Sequence, residues 1–133
     1  MGDSKLKDRT APRVSTIVPA YNAAATIADA IDSAVAQQFD SFEIIVVNDG
    51  STDATANVLD GYGDRIRILQ QPNCGAVAAR NAASRAACGE YLAFLDADDL
   101  WLPEKLKLTV EALDRSPRGG GLFGSHSRKW REA

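Results

Sequence analysis

Short apolar runs rich in β-branched residues recur along the chain, and each is followed by a stretch built to form a helix. The runs are VSTIVP (Val14 to Pro19), FEIIVVN (Phe42 to Asn48), RIRIL (Arg65 to Leu69) and YLAFLD (Tyr91 to Asp96). Their length and composition are those of strands. After the first run, Ile27, Ala30, Ile31, Ala34 and Val35 fall at i, i+3, i+4, i+7 and i+8, one face of a helix. After the second, Ser51 or Thr52 can cap a helix reaching about Asp60. An alanine-rich helix is expected from about Ala76 to Cys88, closed by Gly89. Pro103 suits the first position of a last helix with Leu102, Leu106, Val110 and Leu113 as its apolar stripe. Strands alternating with helices predict the α/β class: a doubly wound, mostly parallel sheet with helices on both faces. The expected strand order is 3-2-1-4. RIRIL alternates polar with apolar residues, which places it nearer an edge than the other runs.

With 133 residues, 45% of them hydrophobic and 25% charged, the chain has the make-up of one soluble globular domain. A net charge of -3 argues against nucleic acid as the main partner, because a phosphate backbone is met by a basic face. No apolar run is long enough to span a bilayer. Residues 1–12 read as a flexible, polar lead-in without the apolar core of a secretory leader. The Met1-Gly2 start has Leu6 where a myristoylation signal wants Ser or Thr. Cys74 and Cys88 match no zinc spacing and read as small buried thiols of a reducing cytoplasm. Beyond Ser116 the chain turns glycine-rich and then basic. GLFGS (121–125) suits a short fifth strand, and 126–133 reads as a solvated basic tail, with contact to an anionic membrane surface as a minor option. The main domain is thus expected over 13–125, acting in the cytoplasm.

In open parallel sheets, ligands bind beyond the carboxyl ends of the strands where the strand order reverses. Three polar clusters are carried to that edge: Ala20-Tyr21-Asn22 after strand 1, Asn48-Asp49-Gly50-Ser51 after strand 2, and Asp96-Ala97-Asp98-Asp99 after strand 4. The first two have ordinary structural readings. Asp49 to Thr52 can be turn and cap chemistry, Tyr21 a half-buried aromatic, and Asn22 an N-cap. The acidic cluster is harder to assign to structure. Two carboxylates at about 4 Å repel by roughly 4 kcal/mol at an effective dielectric near 20. A hard divalent cation, Mg2+ or Mn2+, cancels that repulsion and completes its shell with substrate phosphates. The chain has no glycine-rich phosphate loop of either common type, so phosphate held through metal is the expectation.

Together, VSTIVPAYNAAATIADAIDSAVAQQ, FEIIVVNDGSTDAT, NCGAVAARNAA and GEYLAFLDADDLWLPEKL, spread over roughly residues 13–115, resemble the family 2 glycosyltransferases of the Rossmann-like GT-A fold. The resemblance implies a UDP-, GDP- or dTDP-linked sugar as donor and inversion at the anomeric carbon. The acceptor, whether saccharide, lipid or protein, is left open. Ala20, Tyr21, Asn22, Asp49, Arg80, Asp96 and Asp98 would bind the nucleotide-sugar: Tyr21 against the base, Asp49 accepting a hydrogen bond from it, and Arg80 lining the pocket. Asp96 and Asp98 are the Asp-x-Asp pair that meets ribose and metal. Asp98 and Asp99 are the candidate metal ligands, with the direct one undecided. Asn48 stands where many relatives carry an acid. Family members continue well past this length, and their second half normally supplies the acceptor site and the general base. His126 and Glu132 read as solvated tail residues, so no catalytic base is assigned, and the chain reads as truncated. Two functions follow: an inverting, metal-dependent glycosyltransferase represented by its donor-binding half, or a catalytically incomplete nucleotide-binding fragment. A nucleotidyltransferase is a weaker third, since it would want a basic, glycine-rich loop where Ala20 to Ala25 stand.

Overall fold

A computed structural model describes residues 11–115. Strands β1 (Val14–Ala20), β2 (Phe42–Asp49), β3 (Arg67–Gln71) and β4 (Tyr91–Phe94) alternate with helices α1 (Ile27–Val35), α2 (Thr55–Asp60), α3 (Ala76–Ala86) and α4 (Lys105–Asp114). All strand pairs are parallel, in the order β3-β2-β1-β4. The expected class, strand order and parallel pairing are therefore present.

The period-2 alternation of the inner strands sorts their side chains onto two cores. On one face Val14, Val18, Ile44, Val46 and Ala93 pack with α1, α2 and α4. On the other, Ile17, Ile45 and Val47 pack against Ala79 and Ala83 of α3. Helices thus cover both faces, and the apolar stripe of α1 is buried at Ile27, Ala30, Ile31 and Ala34, with Val35 half-buried.

Local differences from expectation have identifiable causes. β3 starts two residues later than RIRIL suggests, because Gly63–Arg65 forms a 3-10 turn and pairing with β2 begins at Arg67. Its residues are exposed or half-buried, as an edge strand requires. The β4 ladder stops at Phe94, although the Leu95 N–H still donates to the Ile17 carbonyl at 2.9 Å. Helix α4 begins at Lys105 rather than Pro103. Leu102 is exposed and leaves the stripe, Leu106 and Val110 are buried, and Leu113 is half-buried. Ser51 and Thr52 do not cap α2; an Asp53 carboxylate oxygen accepts the Thr55 N–H at 2.9 Å instead. Gly89 does not close α3, which ends at Ala86. It passes so close to β1 that a Cβ would lie 2.5 Å from the Ser15 nitrogen.

Cys74 and Cys88 are both exposed, which corrects the expectation of buried thiols. Each donates its backbone N–H to a carboxylate, of Asp49 and Glu43 respectively, so the main chain is held inward while the side chain stays at the surface. The expected strand at 121–125, the tail with His126 and Glu132, and all but the end of the lead-in lie outside the described residues.

Glu43 ties the far end of the sheet together. It accepts hydrogen bonds from the Ser15 hydroxyl at 2.6 Å, the Cys88 N–H at 2.8 Å and the Arg67 guanidinium at 2.8 Å. Burial pushes its pKa up, but these donors outweigh burial and hold it below its ordinary 4.5. A carboxylate that binds its proton less readily when folded stabilises the fold above its ordinary pKa and loses that contribution as pH falls through the lowered value. The melting temperature is therefore expected to fall as pH drops below about 4.5. Glu43→Gln is expected to cost about 1 kcal/mol at pH 7, as befits a partly exposed charged network, and to shallow the acid decline. Circular-dichroism melts from pH 7 to 3 check this, and an acid decline unchanged by the substitution would refute it.

Candidate functional site

The loops after β1 and β2 are clasped together by side chains. Asn22 sits at φ 49, in the left-handed region that asparagine tolerates better than most residues. Its N–H donates to the Ser51 hydroxyl at 2.9 Å, and its side-chain oxygen accepts the Thr52 N–H at 2.7 Å. The Ala23 N–H donates to the Thr55 hydroxyl at 2.9 Å and the Ala24 N–H to Asp53 at 3.2 Å. Much of GSTD thus serves as a fastener. Asn22 is part of it rather than the cap of α1, whose N-cap position is Thr26.

Asp49, the last residue of β2, is buried at 3% exposure. One carboxylate oxygen accepts from the Gln71 amide at 2.8 Å and the Cys74 N–H at 2.9 Å. The other accepts from the Gly75 N–H at 3.0 Å and the Asn73 amide at 3.3 Å. Gly75, at φ 98, opens α3 and cannot cap it with a side chain. The Asp49 carboxylate takes that place, and a negative charge suits a helix N-terminus. Burial raises the Asp49 pKa, but the bonds from Gln71, Cys74 and Gly75 outweigh it and keep the group below its ordinary value. Gly50 is needed beside it: at φ 73, a Cβ there would lie 2.5 Å from the Asn73 nitrogen.

Pro19, Ala20, Tyr21, Asp49, Ala76, Arg80 and Asp96 line one cleft of about 130 Å³ at the carboxyl ends of the strands. Five expected site residues, Ala20, Tyr21, Asp49, Arg80 and Asp96, thus meet in one place. Tyr21 is half exposed. An Arg80 guanidinium nitrogen stands 3.7 Å from an Asp96 carboxylate oxygen. Ligand sites typically hold about 300–1,000 Å³, so the cleft suits one portion of a ligand, with the rest across the open rim. A larger depression of about 460 Å³, at Gln38, Phe39, Asp40 and Lys107, lies at the opposite end of the sheet, before β2, away from the switch point.

The three acids of the loop after β4 have different surroundings. Asp96 is half-buried and lines the cleft, Asp98 is exposed, and Asp99 is buried at 4% exposure. An Asp99 oxygen accepts the Leu100 N–H at 3.2 Å, and the Asp99 N–H closes a turn onto the Asp96 carbonyl at 3.0 Å. Among the described residues no three acids, histidines or cysteines are grouped to hold a metal. Asp98, exposed and two residues from Asp96, fits a divalent cation that takes one or two carboxylates and completes its shell with phosphate and water. Asp99 is the less accessible of the two candidates, buried and with one oxygen accepting the Leu100 N–H. Neither Asn22 nor Asp98 lines the cleft itself. The supporting set of Gln71, Asn73 and Gly75 went unread in sequence; the glycine ahead of the alanine-rich helix was the only available signal.

A parallel sheet with an acid-rimmed cleft at its switch point marks an α/β ligand-binding domain. The chain belongs to glycosyl transferase family 2, whose sequence model matches residues 15–131. An uncharacterized glycosyltransferase of Rickettsia felis is 43% identical over 106 residues, covering 78% of this chain and 18% of its own length. The crystal structure of S. aureus TarS 1-349 in complex with UDP is 34% identical, with a TM-score of 0.72, over 77% of this chain and 32% of that one. The mannosyltransferase PcManGT from Pyrobaculum calidifontis, in complex with GDP-Man and Mn2+, is 32% identical with a TM-score of 0.70, over 80% of this chain and 33% of that one. The chain therefore spans about a fifth to a third of the length of these proteins. No helix among the described residues is long and apolar enough to cross a membrane.

Proposed function

We propose that this chain is the nucleotide-sugar-binding part of an inverting, metal-dependent glycosyltransferase that transfers a sugar from a nucleoside-diphosphate donor to an acceptor hydroxyl. The observation that carries the reading is the meeting of Tyr21, Asp49, Arg80 and Asp96 in one cleft at the switch point. The similarity to proteins holding UDP, or GDP-Man with Mn2+, supports it. Half-exposed Tyr21 offers an aromatic face to the base. Arg80 brings a cation to the diphosphate side of the cleft. Asp96 meets the ribose, and Asp98, rather than Asp99, takes the metal. When bound, Mg2+ or Mn2+ neutralises the diphosphate and stabilises it as a leaving group. Asp49 serves by holding the Gly75-to-Arg80 wall, since each of its oxygens already accepts two donors.

The alternative is a nucleotide-binding part that performs no transfer by itself. One observation favours it: among the described residues, the carboxylates lining the cleft are Asp49 and Asp96, both engaged with neighbours, so neither stands ready as a general base. Calorimetric titration of the folded chain with UDP, GDP and dTDP, in Mn2+, Mg2+ or EDTA, tests the site. At least one nucleotide is expected to bind with metal and much more weakly without it. Absence of metal-dependent binding by all three would reject the metal-dependent site. Binding without donor hydrolysis or transfer would select the alternative.

A further inference from the structure

We propose that Gln37 is a positioning residue for the acidic loop, acting from the end of α1 through the main chain just beyond that loop. This rests on the reading of Asp96 and Asp98 as the metal–nucleotide edge. The loop is short and held on both sides. Upstream, the Leu95 N–H donates to the Ile17 carbonyl at 2.9 Å. Downstream, the Gln37 amide group donates to the Leu102 carbonyl at 2.7 Å, and its oxygen accepts the Leu106 N–H at 2.8 Å. The side chain also donates to the Ser33 carbonyl at 3.1 Å, so it is fixed to its own helix. Two neighbours reinforce the join: the Trp101 N–H donates to the Ser33 hydroxyl at 3.1 Å, and the Gln38 N–H donates to the Pro103 carbonyl at 2.8 Å.

Gln37 is 7% exposed, and a buried amide is retained where its donor and acceptor are both satisfied. Here it supplies an acceptor for the Leu106 N–H in the first turn of α4 and a second donor to the Leu102 carbonyl, which also accepts the Lys105 N–H at 3.0 Å, and so ties both sides of the Pro103 turn to α1. Between the two anchors only residues 96–100 remain to place Asp96 and Asp98. A shift of the 101–106 segment therefore moves Asp98 relative to Asp96 and Arg80. The pairing joins two stretches 65 to 69 residues apart, the end of AVAQQ and the first and last residues of LPEKL.

Replacing Gln37 by Leu keeps volume and removes all three side-chain bonds, two of them to the 102–106 segment. The Mn2+ concentration giving half-maximal nucleotide binding is expected to rise about tenfold, the usual scale for losing a group that orients a metal ligand. Nucleotide affinity in EDTA is expected to stay within about twofold of the parent, since no direct ligand contact is lost. A lower melting temperature with an unchanged Mn2+ requirement would make Gln37 purely structural and overturn the proposal. So would an equal loss of affinity with and without metal. Ser33→Ala, which deletes the Trp101 bond together with the hydroxyl's own bond to the Ala30 carbonyl at 2.7 Å and leaves the Gln37 bonds in place, carries the same comparison if Gln37→Leu does not fold; it is expected to raise the Mn2+ requirement by about threefold. A parent chain whose nucleotide binding ignores Mn2+ would instead overturn the metal reading on which this rests.

Discussion

Asp98→Ala is expected to weaken nucleotide binding in Mn2+ by about 100-fold, or roughly 2.7 kcal/mol, and to leave binding in EDTA unchanged. Asp98 is exposed, so its removal takes away no packing, and exposed substitutions usually move stability by less than about 0.5 kcal/mol. The loss would therefore appear in affinity and not in the melting curve. Asp99→Asn is expected to behave in the opposite way. Asp99 is buried and accepts the Leu100 N–H, so the amide should lower the melting temperature while the Mn2+ requirement stays near that of the parent. Calorimetry in Mn2+ and EDTA, beside thermal melts, reads both variants. Equal losses for the two would show that the acids act as one cluster, against the separate surroundings they have in the fold.

Asp49→Ala is expected to destabilise the chain by about 3 kcal/mol and to lower affinity for UDP and GDP alike. The substitution leaves the N–H groups of Cys74 and Gly75 and the amides of Gln71 and Asn73 without their common acceptor. It also strips the negative charge from the start of α3, and so loosens the wall that carries Ala76 and Arg80. Asp49→Asn is the sharper probe. It keeps one acceptor oxygen but turns an N–H donor toward groups that are themselves donors. If Asp49 acts by holding the wall, affinity falls while the ratio of UDP to GDP affinity stays that of the parent. A changed ratio would mean that the carboxylate touches the base directly. Urea unfolding and competition binding give the two quantities.

The sheet was legible because its signals are local. Runs such as FEIIVVN are too apolar for anything but a strand buried on both faces, and the interleaved helical stripes leave parallel pairing as the natural outcome. Boundaries were less legible where a turn competes with a periodic pattern. Arg65 continues the alternation of RIRIL yet belongs to a 3-10 turn, and Pro103 could open a helix yet precedes it by two residues. In the candidate site the types and places of residues could be read, because strand ends determine where the polar clusters gather. Their partners could not. Nothing local in NDGSTD says that Asp49 will be met by Gln71, Asn73, Cys74 and Gly75, more than twenty residues on. Nor does the helix ending at Val35 announce that Gln37 will be buried under the Pro103 turn. Two exposed cysteines were misread for the same reason, since what holds their backbone is remote carboxylates.

The strand order also governs when the molecule can be finished. β1 lies inside the sheet but is the first strand made. Val14 is paired with Phe42 on one side and with Tyr91 on the other, so its second neighbour is synthesised 49 residues after its first. At about 5–20 residues per second, the open flank of β1 waits between roughly two and ten seconds for β4. An unpaired strand edge is a template for pairing with other chains, so this is an interval open to misassembly. The strand that ends it also delivers Asp96 to the cleft. A nucleotide that needs the complete cleft can therefore bind only once β4 is in place, and cannot shield the nascent sheet while it waits.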